Sequence, residues 1–301
     1  MRIQLTAIGY QDNWWEILSS SFMRNALLGG TLVALAAGLI GYFIVVRNSA
    51  FAAHALAHIG FPGATGAVLL GLPVTLGLGV FCIGGALVIG ALGKRADERE
   101  VATGTVLAAA TGLGLLFSSM ATRSSSTVTN ILFGNLLAIT RPQLMIFAVA
   151  VIVLATAVAF VYRPLLFASV NAEVAEAKGV PVRVLSVIFM ALLGLAVTMA
   201  VQAVGTLLLF ALVVTPAATA IMLTARPGAA MALSTVLSVS AVWAGLALAA
   251  MFNVPPSFVI VTIVSVLWFA VWLVAERAGA DRRTPPAGDG AVTPGLTRRI
   301  G

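Results

Sequence analysis

Two histidines, His54 and His58, are the only ones in the chain, and they stand four residues apart in Phe51-Ala-Ala-His-Ala-Leu-Ala-His-Ile-Gly60. On a helix this spacing puts both rings on one face, one turn apart. Neutral imidazole binds zinc well and suits other first-row divalent metals. A pair of hydrogen-bonded core histidines is the plainer reading, but ionisable groups within apolar spans usually face an interior path, which favours the ligand reading. Two ligands fall short of the four of a structural zinc site. The pair therefore fits a transient transport site that water, backbone carbonyls or a second copy of the chain would complete. No resident cofactor is expected, only a transported divalent metal.

The elements that hold this pair are apolar. The chain has 301 residues, 60% hydrophobic and 9% charged, against about 25% charged in a soluble domain. Lipid must then be the solvent for most of it, and the expected fold is an all-α polytopic membrane bundle of eight or nine spans. Nine candidate stretches are long enough for the hydrocarbon core: 24–46, 53–71, 74–93, 101–121, 143–162, 184–201, 204–224, 229–251 and 257–275. The division of 183–224 rests only on Gln202 and Gly205, so one span is expected to be partial or broken. Pro216, inside the seventh stretch, is expected to bend its helix. Residues 1–22, with Trp14, Trp15 and Glu16, read as an interfacial segment rather than a signal peptide. Residues 23–276 form the transmembrane domain, and the Pro-, Gly- and Arg-rich 277–301 reads as a disordered tail.

The net charge is +7, but the basic residues lie between apolar runs, which points to membrane orientation rather than to nucleic acid. With nine spans and the N-terminus outside, four of the seventeen Lys and Arg (Arg2, Arg24, Arg123 and Arg141) fall outside and the rest inside. This bias places the C-terminus in the cytoplasm. Cys82, the single cysteine, reads as a packing residue.

What is missing narrows the function. No Gly-x-x-x-x-Gly-Lys-Ser/Thr loop is present, so the chain has no P-loop nucleotide site, and no His-Glu-x-x-His marks a zinc protease. The expected spans carry no interior carboxylate to couple protons or sodium. A membrane path without its own fuel site implies a partner that supplies energy. The segment 163–183 is the candidate dock. Asn171 is a plausible N-cap, Glu173 lies in the first turn where the helix dipole favours it, and Gly179 and Pro181 form a natural stop. A short inner-surface helix over 172–178 follows; an ordinary interfacial loop is the alternative.

Four stretches resemble the zinc/manganese/iron-uptake permeases of ABC transporters: Gly41–Gly63 with Val45-Val46-Arg47 and His54-Ala-Leu-Ala-His58-Ile-Gly-Phe-Pro62-Gly63, Ile131–Leu137, Asn171–Val180, and Val204–Ala220. The similarity spans roughly 22–275. It implies a homodimeric permease in the cell membrane that docks two cytosolic ABC ATPase subunits and receives metal from an extracytoplasmic binding protein. The ATPase activity would lie in the partner and the chain itself would not be an enzyme. The docking helix of that family matches Glu173–Gly179, including Ala175 and Lys178. An Asp and a His four residues apart are associated with the family's metal path. His58 matches the His, and His54 stands in place of the Asp. That exchange of oxygen for nitrogen favours zinc over manganese or iron, or weakens the site. A permease for a metal chelate such as a siderophore and a membrane-embedded metalloenzyme are the competing readings.

Overall fold

The computed structural model describes residues 14–92, 96–120, 134–206 and 209–281. Among them the chain is helical, with no strand. The helices are α1 (Trp14–Ser19), α2 (Ser21–Val46), α3 (Ala50–Leu69), α4 (Val74–Leu92), α5 (Ala96–Met120), α6 (Arg141–Val170), α7 (Ala172–Ala177), α8 (Val182–Val204), α9 (Leu209–Val213), α10 (Thr215–Leu223), α11 (Pro227–Phe252) and α12 (Pro256–Asp281). A 3-10 turn at Leu136–Ala138 precedes α6.

Seven helices (α2, α4, α5, α6, α8, α11 and α12) are long and apolar enough to cross a membrane. The all-α polytopic bundle is thus as the composition required. α3 falls outside that set because His54 and His58, with its Gly, Pro62 and Thr65, dilute its apolar content. Its 20 residues still reach about 30 Å, the thickness of the hydrocarbon core. We read it as the eighth span, kept from lipid by its neighbours: α3 packs most extensively against α4 and α5. The centre belongs to α2 and α8, whose apolar stretches are 67% and 72% buried, whereas α12 lies outermost at 11%.

Small residues set how α3 sits. A Cβ on Gly63 would lie 2.2 Å from the Gly77 carbonyl oxygen, and one on Gly77 would lie 2.0 Å from that of Gly63. The α3 and α4 backbones therefore touch directly, the usual device where lipid supplies no drive for helices to associate. Cys82 of α4 is fully buried, its Sγ 3.4 Å from the Leu56 carbonyl, and acts as a packing residue.

Several boundaries differ from the sequence expectation. The stretch 204–224 is not one helix. Gly205 takes φ +82° and ends α8, and the chain resumes as the short α9 and α10. Pro216 is the second residue of α10, and the single-residue interruption between α9 and α10 falls at Val214, two residues before it. A Cβ on Gly134, itself at φ +69°, would lie 2.4 Å from the Gly205 nitrogen, so two glycines hold the break closed. The fifth span, α6, does not stop at Tyr162 but runs on to Val170 through Pro164, because Leu165 and Ala168 still bury their side chains. The charged run 94–100 is not all connection, since α5 begins at Ala96, and α12 continues to Asp281, past the expected end at 276. Residues 1–13 of the N-terminal segment, 131–133 of the second resembling stretch and 282–301 of the tail lie outside the described residues.

The two ends of the bundle are tied differently. At one end Gln202 joins α4, α6 and α8: Thr75 Oγ1 and Gln143 Nε2 donate to its Oε1 at 2.9 and 3.2 Å. At the other end lie the α2–α3 turn, α7, and the starts of α5 and α8. The turn Arg47–Ser49 is tight, with Asn48 at φ +50° and the Ser49 amide donating to the Ile44 carbonyl at 2.8 Å.

Candidate transport site

α3 starts at Ala50, so His54 and His58 are its fifth and ninth residues. His58 therefore lies about 12 Å along the axis from the helix start, at 1.5 Å per residue. The two rings meet edge to face with centroids 4.8 Å apart. Both are half-buried, between Ala53, Ala55, Leu56, Ala57 and Ile59, which are buried. Neither imidazole has a hydrogen-bond partner among the described residues; the rings pack against each other and His54 against Phe210 of α9, whose ring centre is 6.5 Å from that of His54. A pair of satisfied core histidines would look different, with ring nitrogens engaged. At helical spacing the two rings share a face of α3 with Phe51, which is exposed, and Phe61, which is half-buried.

That separation allows one ion at the usual distance of about 2.0–2.1 Å from a nitrogen of each ring after side-chain rotation. A third donor follows from covalent chemistry. Pro62 lies inside α3, four residues after His58, and has no N–H, so the His58 carbonyl loses its normal helical donor. Backbone carbonyls freed from helical bonding are the kind of oxygen that membrane transporters use to meet a cation. Among the described residues no group of three His, Cys, Asp or Glu side chains converges on any point. Two imidazoles alone cannot hold an ion as a closed structural site does.

The candidate docking segment has the expected local shape. Asn171 Oδ1 accepts from the Val174 amide at 3.0 Å and caps α7. Glu173 sits in the first turn, and Lys178 follows as the C-terminal residue of the turn. Gly179 reverses the chain at φ +82°. Ala175 is fully buried and seats the helix, while Glu173, Glu176 and Lys178 are exposed. A small buried residue among exposed charges leaves α7 as a shallow ridge at this end of the bundle.

Sequence reasoning missed Phe210, because the break that brings α9 beside His54 depends on tertiary contact. It also gave Arg47 no role beyond its share in the basic bias and its place in the resembling stretch Gly41–Gly63. The signal was there: Arg47 is the single charge between two apolar helices within the stretch Gly41–Gly63.

The fold defines a multi-pass helical membrane protein, and the two histidines on α3 are its candidate site. A family comparison then makes this specific. Residues 19–275 match the model of the ABC 3 transport family, and the chain belongs to that family. It is 30% identical over 264 residues to the manganese transport system membrane protein MntC of Listeria monocytogenes, covering 87% of this chain and 94% of that protein. It is 30% identical over 258 residues to the manganese import system permease protein ScaB of Streptococcus parasanguinis, covering 85% and 91%. Among solved structures it is similar to PsaBC from Streptococcus pneumoniae in complex with Fab, with a TM-score of 0.79 and 27% identity over 90% of this chain and 99% of that one. The class reached from the four resembling stretches is thereby established.

Proposed function

We propose that this chain is the membrane-spanning subunit of an importer for a divalent first-row metal, working as a homodimer driven by a cytosolic ABC ATPase and fed by an extracytoplasmic metal-binding protein. The observation that carries the metal reading is the His54–His58 pair. The rings stand 4.8 Å apart, are half-buried and have no hydrogen-bond partner among the described residues, in a chain whose relatives are named for manganese transport. Water, the His58 carbonyl or a second copy supplies the remaining donors, so the ion is held loosely enough to leave.

The choice of metal turns on His54. Carboxylate oxygen suits manganese, whereas two imidazoles suit zinc and the later first-row ions. We therefore rank zinc first and manganese second for this chain, while the relatives' names favour manganese. The absence of a third converging side chain among the described residues weighs against a membrane metalloenzyme, since catalytic zinc keeps three protein ligands.

The test is radiometal uptake in cells carrying the full transporter, with zinc and manganese as separate probes and membrane amounts checked by blot. His58→Ala is expected to abolish most uptake at unchanged protein level. Parental uptake of both metals by the His54→Ala and His58→Ala variants would make the pair structural and place the path elsewhere.

A further inference from the structure

Arg47 is the residue whose environment the transport site does not explain. Its side chain leaves the α2–α3 turn and crosses to two other helices. One guanidinium nitrogen, Nη1, donates to Ser169 Oγ at 3.2 Å, and the other, Nη2, donates to Ser186 Oγ at 2.7 Å. Its plane lies over the ring of Phe189, with Cζ 5.0 Å from the centroid, and Phe189 is fully buried. One of the two acceptors is itself oriented. Ser169 donates its own proton to the Leu165 carbonyl at 2.6 Å, which leaves its lone pairs to the guanidinium.

The two serines are the roots of α7. Ser169 is two residues before the cap Asn171, and Ser186 is seven after Gly179. Both anchors of the docking segment are therefore gripped by one planar fork, a geometry that Lys cannot copy. On its other side Arg47 is part of the three-residue turn that starts α3, where Ser49 Oγ donates to the Arg47 carbonyl at 3.2 Å and the Ala53 amide donates to the Ser49 carbonyl at 3.0 Å. His54 follows Ala53. A rigid chain of contacts thus runs from α7 through Ser169 and Ser186 to Arg47 and on to the first metal-facing ring.

We propose that Arg47 is a positioning residue that couples movement of α7 to movement of the histidine-bearing α3. This rests on the proposed function. When the ATPase shifts α7, the ends of α6 and α8 move with it and the fork carries the α2–α3 turn along. By the reciprocity of coupling, occupancy of the histidine site bears back on the ATPase through the same fork.

Two variants keep the charge and break the fork: Arg47→Lys, and the double variant Ser169→Ala/Ser186→Ala. The full complex with its ATPase and binding protein is reconstituted in proteoliposomes, with zinc and manganese as probes. Uptake by the parent complex judges the proposed function; the ratio of metal moved to ATP hydrolysed, variant against parent, judges the inference. If the parent moves neither metal, the rise in ATP hydrolysis on adding metal-loaded binding protein takes the place of that ratio. Both variants are expected to reach the membrane at parental level and to keep basal ATP hydrolysis within about twofold, while the ratio falls about tenfold, within the usual range for one coupling device. An unchanged ratio in the double serine variant overturns the inference. So does loss of both variants from the membrane, which would make Arg47 a folding contact only.

Discussion

Gly179→Ala isolates the role of α7 because the structure supplies both its cost and its control. Gly179 has φ +82°, and an added Cβ would meet nothing within 4 Å. The methyl therefore brings no clash, only the penalty of holding an L-residue in the left-handed region, about 1–2 kcal/mol. α7 has six residues, one side-chain cap and one buried side chain, Ala175, so it has little cooperative stability of its own to absorb that strain. A penalty of this size lowers the population of the reversed turn roughly 5–30-fold relative to alternatives, and the apparent affinity for a partner that needs the turn falls by up to the same factor. Gly71 is the matched control. It has φ +68°, and its Cβ would also meet nothing within 4 Å, but it lies in the α3–α4 turn at the other end of α3. Gly71→Ala carries the same strain away from the dock. The assay titrates purified ATPase subunit against reconstituted permease and reads the half-saturating concentration for stimulated hydrolysis. Gly179→Ala is expected to raise it several-fold and Gly71→Ala to leave it unchanged. Equal curves for parent and Gly179→Ala, or equal shifts for the two glycine variants, would refute docking at α7.

Three further outcomes are expected. His54→Asp restores a carboxylate beside His58 and is expected to keep uptake while moving the preference from zinc toward manganese, read by competition between the two radiometals; an unchanged preference would show that His54 does not select the ion. Protons and metal compete for the imidazole nitrogens, so uptake is expected to weaken on acidification at constant ATP hydrolysis capacity, and a flat pH profile would remove imidazole from the path. In a Cys82→Ala background, Glu176→Cys is expected to resist an impermeant thiol reagent in intact cells and Leu70→Cys to react, since these positions lie at opposite ends of the bundle and the basic residues gather at the α7 end; labelling of 176 from outside would reverse the topology.

The amino-acid sequence by itself determined that this is a lipid-solvated helical bundle, because 60% hydrophobic and 9% charged residues leave no aqueous alternative. It also determined where α7 begins and ends, through the Asn171 cap and Gly179, and the shared face of His54 and His58, since those are local properties of a helical backbone. Span ends were less legible. A run of apolar residues continues into lipid or into protein with the same hydropathy, so nothing local distinguished the long α6 from a shorter one. Gln202 and Gly205 marked the division after Val204, but tertiary structure decided its form, where Gly134 presses against Gly205 from a distant part of the chain and the apolar stretch resumes as the short α9 and α10. Tertiary structure alone brought Phe210 to His54 and Arg47 to Ser169 and Ser186, more than a hundred residues away. Local preference acts over a few residues, whereas the half-buried guanidinium of Arg47 finds its acceptors only once the helices that carry them have packed.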